Sequence, residues 1–126
     1  MRAFSHLGEH GAVWLVGGLR RGPWRRAALT VVAAYVVNQL VKLAVPRARP
    51  RLEGLPALIG TGSDRSFPSA HATTSFAGAR AYARLGAPAA PLYALACALA
   101  ASRVWLGVHH PSDVLAGAVL GSVIAR

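Results

Sequence analysis

The chain is expected to fold as an all-α integral membrane bundle of about five helices, with a reactive site at one membrane face. Three observations carry that expectation. Hydrophobic residues make up 54% of the 126 residues and charged ones only 14%, with a mean hydropathy of +0.40. That is too apolar for a disordered chain and high for a soluble one. Aromatic residues contribute just 7%, so the apolar mass is Ala, Val, Leu and Gly, which suit close-packed membrane helices. The net charge of +10 comes mainly from arginines that flank apolar stretches instead of forming one basic stripe. A bilayer, not nucleic acid, is the partner this pattern fits. The length suits a single domain, residues 1–126.

The elements follow in order. Residues 4–19 form a short first helix, apolar mainly from Ala12 onward, with His6, Glu9 and His10 as its polar start. Residues 20–26 break the chain with four arginines, Gly22 and Pro23. Residues 27–45 are long enough to cross the bilayer core, interrupted only by Asn38, Gln39 and Lys42. Residues 46–68 hold four prolines and three glycines with no helical period, and a connection this long in a small domain is usually functional. Residues 70–85 carry His71, Thr73, Thr74, Ser75 and Arg80, too polar to face lipid, and read as a helix shielded by its neighbours. After the turn at residues 86–88, residues 89–106 form a second crossing helix. Residues 111–125 form a short last helix, about 22 Å long at 1.5 Å per residue. Cys97 is expected in the core, and no cleavable signal peptide is expected, because the positive cluster follows the first apolar run.

Orientation follows from the arginines. With Arg20, Arg21, Arg25 and Arg26 cytoplasmic, the second helix runs outward and the long connection is extracytoplasmic. Arg80, Arg84 and Arg126 then return to the inner side. The outer side nonetheless keeps Lys42, Arg47, Arg49, Arg51, Arg65 and Arg103, an excess that the charge rule forbids unless those cations have a chemical task.

Three separated segments end at that outer face. Lys42 sits in the last turn before Pro46 and is the sole lysine among fourteen basic residues, a compact ammonium suited to a phosphate oxygen; Arg49 follows it. Ser69 reads as a helix N-cap, with Ala70 and His71 in a first turn whose N–H groups can face an anion. A histidine there can supply or remove a proton beside a bound oxyanion. Arg103 ends the fourth helix, and Asp113 lies four residues after His109, where it can orient one ring nitrogen and leave the other free to attack. Three cations, a helix N-terminus, two histidines and one carboxylate make an inventory for phosphate binding and phosphoryl transfer. A metal centre fits poorly, with one carboxylate among several cations and two histidines adjacent at 109 and 110.

The segments Lys42…Arg49-Pro50, Pro68-Ser69-Ala70-His71 and Ser102-Arg103…His109…Asp113 resemble the three-part signature of the type 2 phosphatidic acid phosphatase superfamily, shared with vanadium haloperoxidases. The resemblance spans residues 42–121 in the family's order. It implies a multi-pass protein of the cell membrane acting on a lipid phosphate or diphosphate without a metal or other cofactor. It further implies that His109 forms a phosphohistidine, that Asp113 orients it, and that His71 protonates the leaving alkoxide and then activates water. Lys42, Arg49 and Arg103 would hold the phosphoryl oxygens, assisted by Ser69 and the N–H of Ala70. Ala70 departs from the family's usual glycine. The Ala-rich, Lys-poor composition with Pro68-Ser69-Ala70-His71 is similar to actinobacterial members, some of which act on decaprenyl-linked pentose phosphates of cell-wall synthesis. Phosphatidate and polyprenyl diphosphate fit the same pattern.

Other readings stand beside this one. The cations could snorkel or cap helix ends. A haloperoxidase would bind vanadate in the same pocket, and a non-catalytic lipid-phosphate binder would keep the pocket without turnover. His110 reads as a spectator, Asp64 and Arg65 as a surface pair or a gate, and Trp14, Trp24 and Trp105 as anchors or packing. Gly117 and Gly121 allow close helix contact, either within the chain or in a homo-oligomer.

Overall fold

The computed structural model describes residues 11–51 and 63–126; the polar start at His6, Glu9 and His10 and the middle of the long connection lie outside them. Five α-helices are present among the described residues: α1 (Ala12–Leu15), continued by a 3-10 turn (Val16–Leu19), α2 (Pro23–Ala44), α3 (Ala70–Ala83), α4 (Ala89–Trp105) and α5 (Pro111–Ile124). The last three begin where the sequence places them and end one or two residues earlier. The helix α2 starts four residues before the expected boundary. Pro23, read as a breaker, occupies the first helical turn, where its missing N–H costs nothing.

The polar helix α3 is the centre of the bundle and packs against α2, α4 and α5. Its buried face is hydroxyl-rich, with Thr73, Thr74 and Ser75 fully inaccessible. Thr73 and Thr74 donate to the carbonyls of Ser69 and Ala70 at 3.0 and 2.9 Å, so these hydroxyls are satisfied within their own helix. The Trp14 indole N–H donates to Ser75 Oγ at 3.2 Å, and the Tyr82 hydroxyl donates to the Trp14 carbonyl at 2.6 Å. These two bonds dock α1 on α3. Trp24 packs against Tyr82, whereas Trp105 is 74% exposed near the end of α4, as an interfacial anchor would be.

The outer surface is inverted relative to a soluble protein. Along α2, Leu29, Val32, Val36, Leu40 and Leu43 are exposed, while Asn38 and Lys42 are buried. Along α5, Leu115, Val119 and Val123 are exposed, while Asp113 is buried. Apolar stripes outside and polar groups inside are what a hydrocarbon solvent selects. Among the described residues α2 alone has the length and hydropathy to cross unaided, about 33 Å over its 22 residues. The second expected crossing helix, α4, has 17 residues, one fewer than the sequence boundary allowed. Cys97 corrects a second expectation. The buried stripe of α4 is Ala96, Leu99, Ala100 and Arg103, and Cys97, about 100° round the helix from Ala96, is exposed.

Gly117 and Gly121 are used within the chain. A Cβ on Gly117 would lie 2.6 Å from the Ser69 carbonyl oxygen, and one on Gly121 would overlap that of Thr73. Both contacts are with the backbone of α3, which cannot move aside cheaply. Gly121→Ala is therefore expected to lower the thermal midpoint in detergent by several degrees, a cost of roughly 1–3 kcal/mol or more. A wild-type midpoint would contradict this packing.

Candidate active site

The C-terminal ends of α2 and α4 and the N-terminal ends of α3 and α5 meet at one end of the bundle. The two ends of the long connection close over them, tied by an isolated bridge between Ala48 and Arg65 and by the Ser66 N–H on the Arg47 carbonyl at 2.7 Å. Arg65, expected in a surface pair or a gate, donates its guanidinium to the carbonyls of Lys42 and Leu43 at 3.0 and 2.8 Å, capping α2. The Lys42 ammonium answers by donating to the Arg65 carbonyl at 3.1 Å.

His109 is placed by the link between α4 and α5. Gly107 adopts φ 68°, and its N–H and that of Val108 bond back to Val104 and Arg103 at 2.9 and 3.2 Å. This left-handed step, costly for any residue with a Cβ, reverses the chain and turns His109 inward to 4% exposure. Arg49 Nη1 lies 3.3 Å from His109 Nε2 and also donates to the Val108 carbonyl at 2.7 Å. A guanidinium can only donate, so Nε2 carries the lone pair and Nδ1 the proton. Nδ1 faces Asp113 Oδ2 at 3.6 Å, longer than a hydrogen bond. The nucleophile geometry expected from the four-residue spacing is therefore approached, with the lone pair already aimed at a cation.

Burial, reinforced by Arg49, Lys42 and Arg103, pushes the His109 imidazole down from its ordinary 6.5 to about 3. It is neutral, as a nucleophile must be. Between those two values the unfolded chain takes up a proton that the folded one refuses, so stability is full above 6.5 and falls on acidification through that window. Wild-type protein is expected to lose thermal stability more steeply from pH 6.5 to 3 than His109→Gln. Equal slopes would contradict the burial argument.

Asp113 is the third residue of α5, after Pro111 at the first position. Its Oδ2 accepts the His110 N–H at 2.8 Å and the Ser66 hydroxyl in a short contact, and its Oδ1 accepts Arg47 at 2.9 Å. The carboxylate is fully buried and held by three donors before it meets His109. The sequence placed Arg47 among the outer cations but gave neither it nor Ser66 a role at Asp113. Ser66 stands two residues before Pro68, and Arg47 alternates with Arg49 on an extended segment, which sends the two to different partners. Asn38 is a third residue whose partners the sequence left unassigned. It lies one turn before Lys42 on the same face of α2 and donates to Thr73 Oγ1 at 2.9 Å and to the Pro68 carbonyl at 3.3 Å.

Ser69 is the N-cap of α3, accepting the Ala72 N–H at 3.5 Å, and its own N–H donates to the Asp113 carbonyl at 3.0 Å. That bond sets the start of α3 directly against the start of α5. Ala70 is the first helical residue, a right-handed conformation that alanine adopts freely, so the departure from glycine imposes no strain. His71 follows in the same turn, half-buried. Arg103, in the last turn of α4, is 5% exposed. All eight residues expected to form the site thus stand at one end of the bundle.

Known proteins share this chain's pattern. Residues 23–126 match the model of the PAP2 superfamily. The chain belongs to the PAP2 superfamily. It is 37% identical over 131 residues to decaprenylphosphoryl-5-phosphoribose phosphatase of Mycobacterium tuberculosis, covering 98% of this chain and 73% of that protein. The protein of the same name from Mycolicibacterium smegmatis is 42% identical over 125 residues, covering 92% and 68%. The crystal structure of a transmembrane PAP2 type phosphatidylglycerolphosphate phosphatase from Bacillus subtilis superposes with a TM-score of 0.77 at 25% identity, over 99% of this chain and 71% of that one. Within that superfamily these relatives, together with the apolar outer surface, make this a membrane protein and a lipid-phosphate phosphatase.

Proposed function

We propose that the protein removes the terminal phosphate from a polyprenyl-phosphoryl pentose phosphate at the extracytoplasmic face of the membrane. The observation that carries the reading is the end of the bundle itself. Lys42, Arg49 and Arg103 surround a neutral, inward-facing His109 whose Nε2 lone pair points at a cation. Similarity over nearly the whole chain to two phosphatases of a decaprenyl-linked ribose phosphate supports the choice of head group.

In this reading the phosphoryl group takes the place of Nε2 as the partner of Arg49, and Lys42 and Arg103 neutralise its other oxygens. His109 Nε2 attacks phosphorus, the bond to the sugar oxygen breaks, and His71 gives that oxygen a proton. Asp113 stabilises the positive charge that develops on the imidazole. Water then attacks the phosphohistidine, giving its proton to His71, and phosphate leaves with His109 neutral again. Ser69 and the N–H of Ala70, at the start of α3, assist at the oxyanion.

The test is phosphate release by purified protein in detergent with EDTA present. The panel holds a polyprenyl-phosphoryl pentose phosphate, a polyprenyl diphosphate and phosphatidate. The pentose phosphate is expected to be turned over fastest; preference for either of the others would overturn the head-group assignment. The face is tested separately in a Cys97→Ser background. Ser63→Cys is expected to react with an impermeant maleimide in intact cells and Arg84→Cys only after lysis; the reverse pattern would invert the topology.

A further inference from the structure

An apolar groove of about 480 Å³ runs beside the catalytic end, lined by Val41 of α2, by Phe67 and Pro68, and by Leu115, Ala116, Val119, Leu120 and Val123 of α5. Every lining side chain is apolar. The upper end of the groove adjoins the site along the chain. Val41 precedes Lys42, Phe67 and Pro68 lie between Ser66 and Ser69, and Leu115 is two residues from Asp113. From Leu115 to Val123 the groove descends about 12 Å along α5, away from the charged end. Its outer wall is formed by Leu115, Val119 and Val123, which are 68%, 65% and 46% exposed on the surface that faces hydrocarbon.

We infer that this groove between α2 and α5 holds the polyprenyl chain of the substrate as it leaves the head group. The inference rests on the lipid-linked substrate proposed above and adds where its tail lies. A head group fixed by Lys42, Arg49 and Arg103 leaves its chain a wet path over the cations or a dry one down α5. The dry path avoids exposing hydrocarbon to water and desolvating charge. Ala116 is the small residue in the lining, between the bulkier Leu115 and Leu120, and a larger side chain there fills the groove.

The test compares kcat/KM for a long polyprenyl-phosphoryl pentose phosphate with that for the same head group on a short, water-soluble prenyl chain. Ala116→Phe is expected to lower the long-to-short ratio about tenfold or more. Leu29→Phe, on the hydrocarbon-facing side of α2 away from the groove, is expected to leave the ratio at its wild-type value. An unchanged ratio in Ala116→Phe, or an equal fall in Leu29→Phe, would overturn the assignment. Should Ala116→Phe fail to fold, photo-crosslinking of wild-type protein decides. A polyprenyl phosphate with a diazirine in its chain is expected to mark Val41 and residues 115–123 in preference to a diazirine phosphatidylcholine. Identical marking by both probes would make the groove an ordinary lipid contact and reject the proposal. If wild-type protein releases phosphate from phosphatidate but from no polyprenyl lipid, the head-group reading fails, and the crosslinking pattern still judges the groove independently.

Discussion

His109→Ala is expected to reduce phosphate release at least about a thousandfold, because the variant has no atom that can replace Nε2 as the attacking group. The fold is expected to survive. His109 has few polar ties to lose, one contact to Arg49 at 3.3 Å and one to Asp113 at 3.6 Å. Deleting the imidazole therefore strands no strongly paired partner, and Arg49 keeps its bonds to the carbonyls of Val108 and Ser63 at 2.7 and 2.8 Å. The measurement pairs lipid-phosphate turnover with the thermal midpoint in detergent. Wild-type turnover in a folded variant would remove His109 from the mechanism.

The second large effect is expected at Asp113→Asn, with kcat lowered by about 10²–10⁴-fold and KM changed less. The substitution keeps the shape and removes the charge. It also sets donor against donor. Oδ2 accepts the His110 N–H and the Ser66 hydroxyl, and Oδ1 accepts Arg47, so the amide NH2 of asparagine must face one of these donors. Ser66 can rotate its hydroxyl to accept instead, which spares the fold, but the negative charge opposite His109 Nδ1 is gone. The developing imidazolium then loses its counter-charge. Ser66→Ala, which removes one donor and no charge, is expected to cost less than Asp113→Asn. Equal kcat in Asp113→Asn and wild type would mean that this carboxylate only builds the start of α5.

Much of this site was legible in the sequence for a physical reason. Helix ends carry local signals, and the reactive residues sit at helix ends. Pro46 stops α2 just after Lys42, Ser69 caps α3 just before His71, and Pro111 starts α5 just before Asp113. The unexplained excess of cations at one end, set against the bilayer charge rule, marked where they gather. What the sequence did not disclose depends on the long connection folding back. Ser66 reaches Asp113 across 47 positions, and Arg47 does so across 66, through a bridge that no local pattern encodes. Asn38 looked like a flaw in an apolar span until α3 supplied its partners. Cys97 was misplaced because the stretch of α4 around it, residues 94–101, is apolar all round and carries no amphipathic period to say which face is inside.

Trapping the covalent intermediate tests the central claim most directly. Wild-type protein is mixed with a lipid substrate radiolabelled in its terminal phosphate, quenched in alkali within one turnover, and digested for peptide mapping. The account predicts an acid-labile, base-stable label on the peptide that contains His109, absent from His109→Ala. Rapid turnover with no label, or a label on the peptide that contains His71, would contradict it.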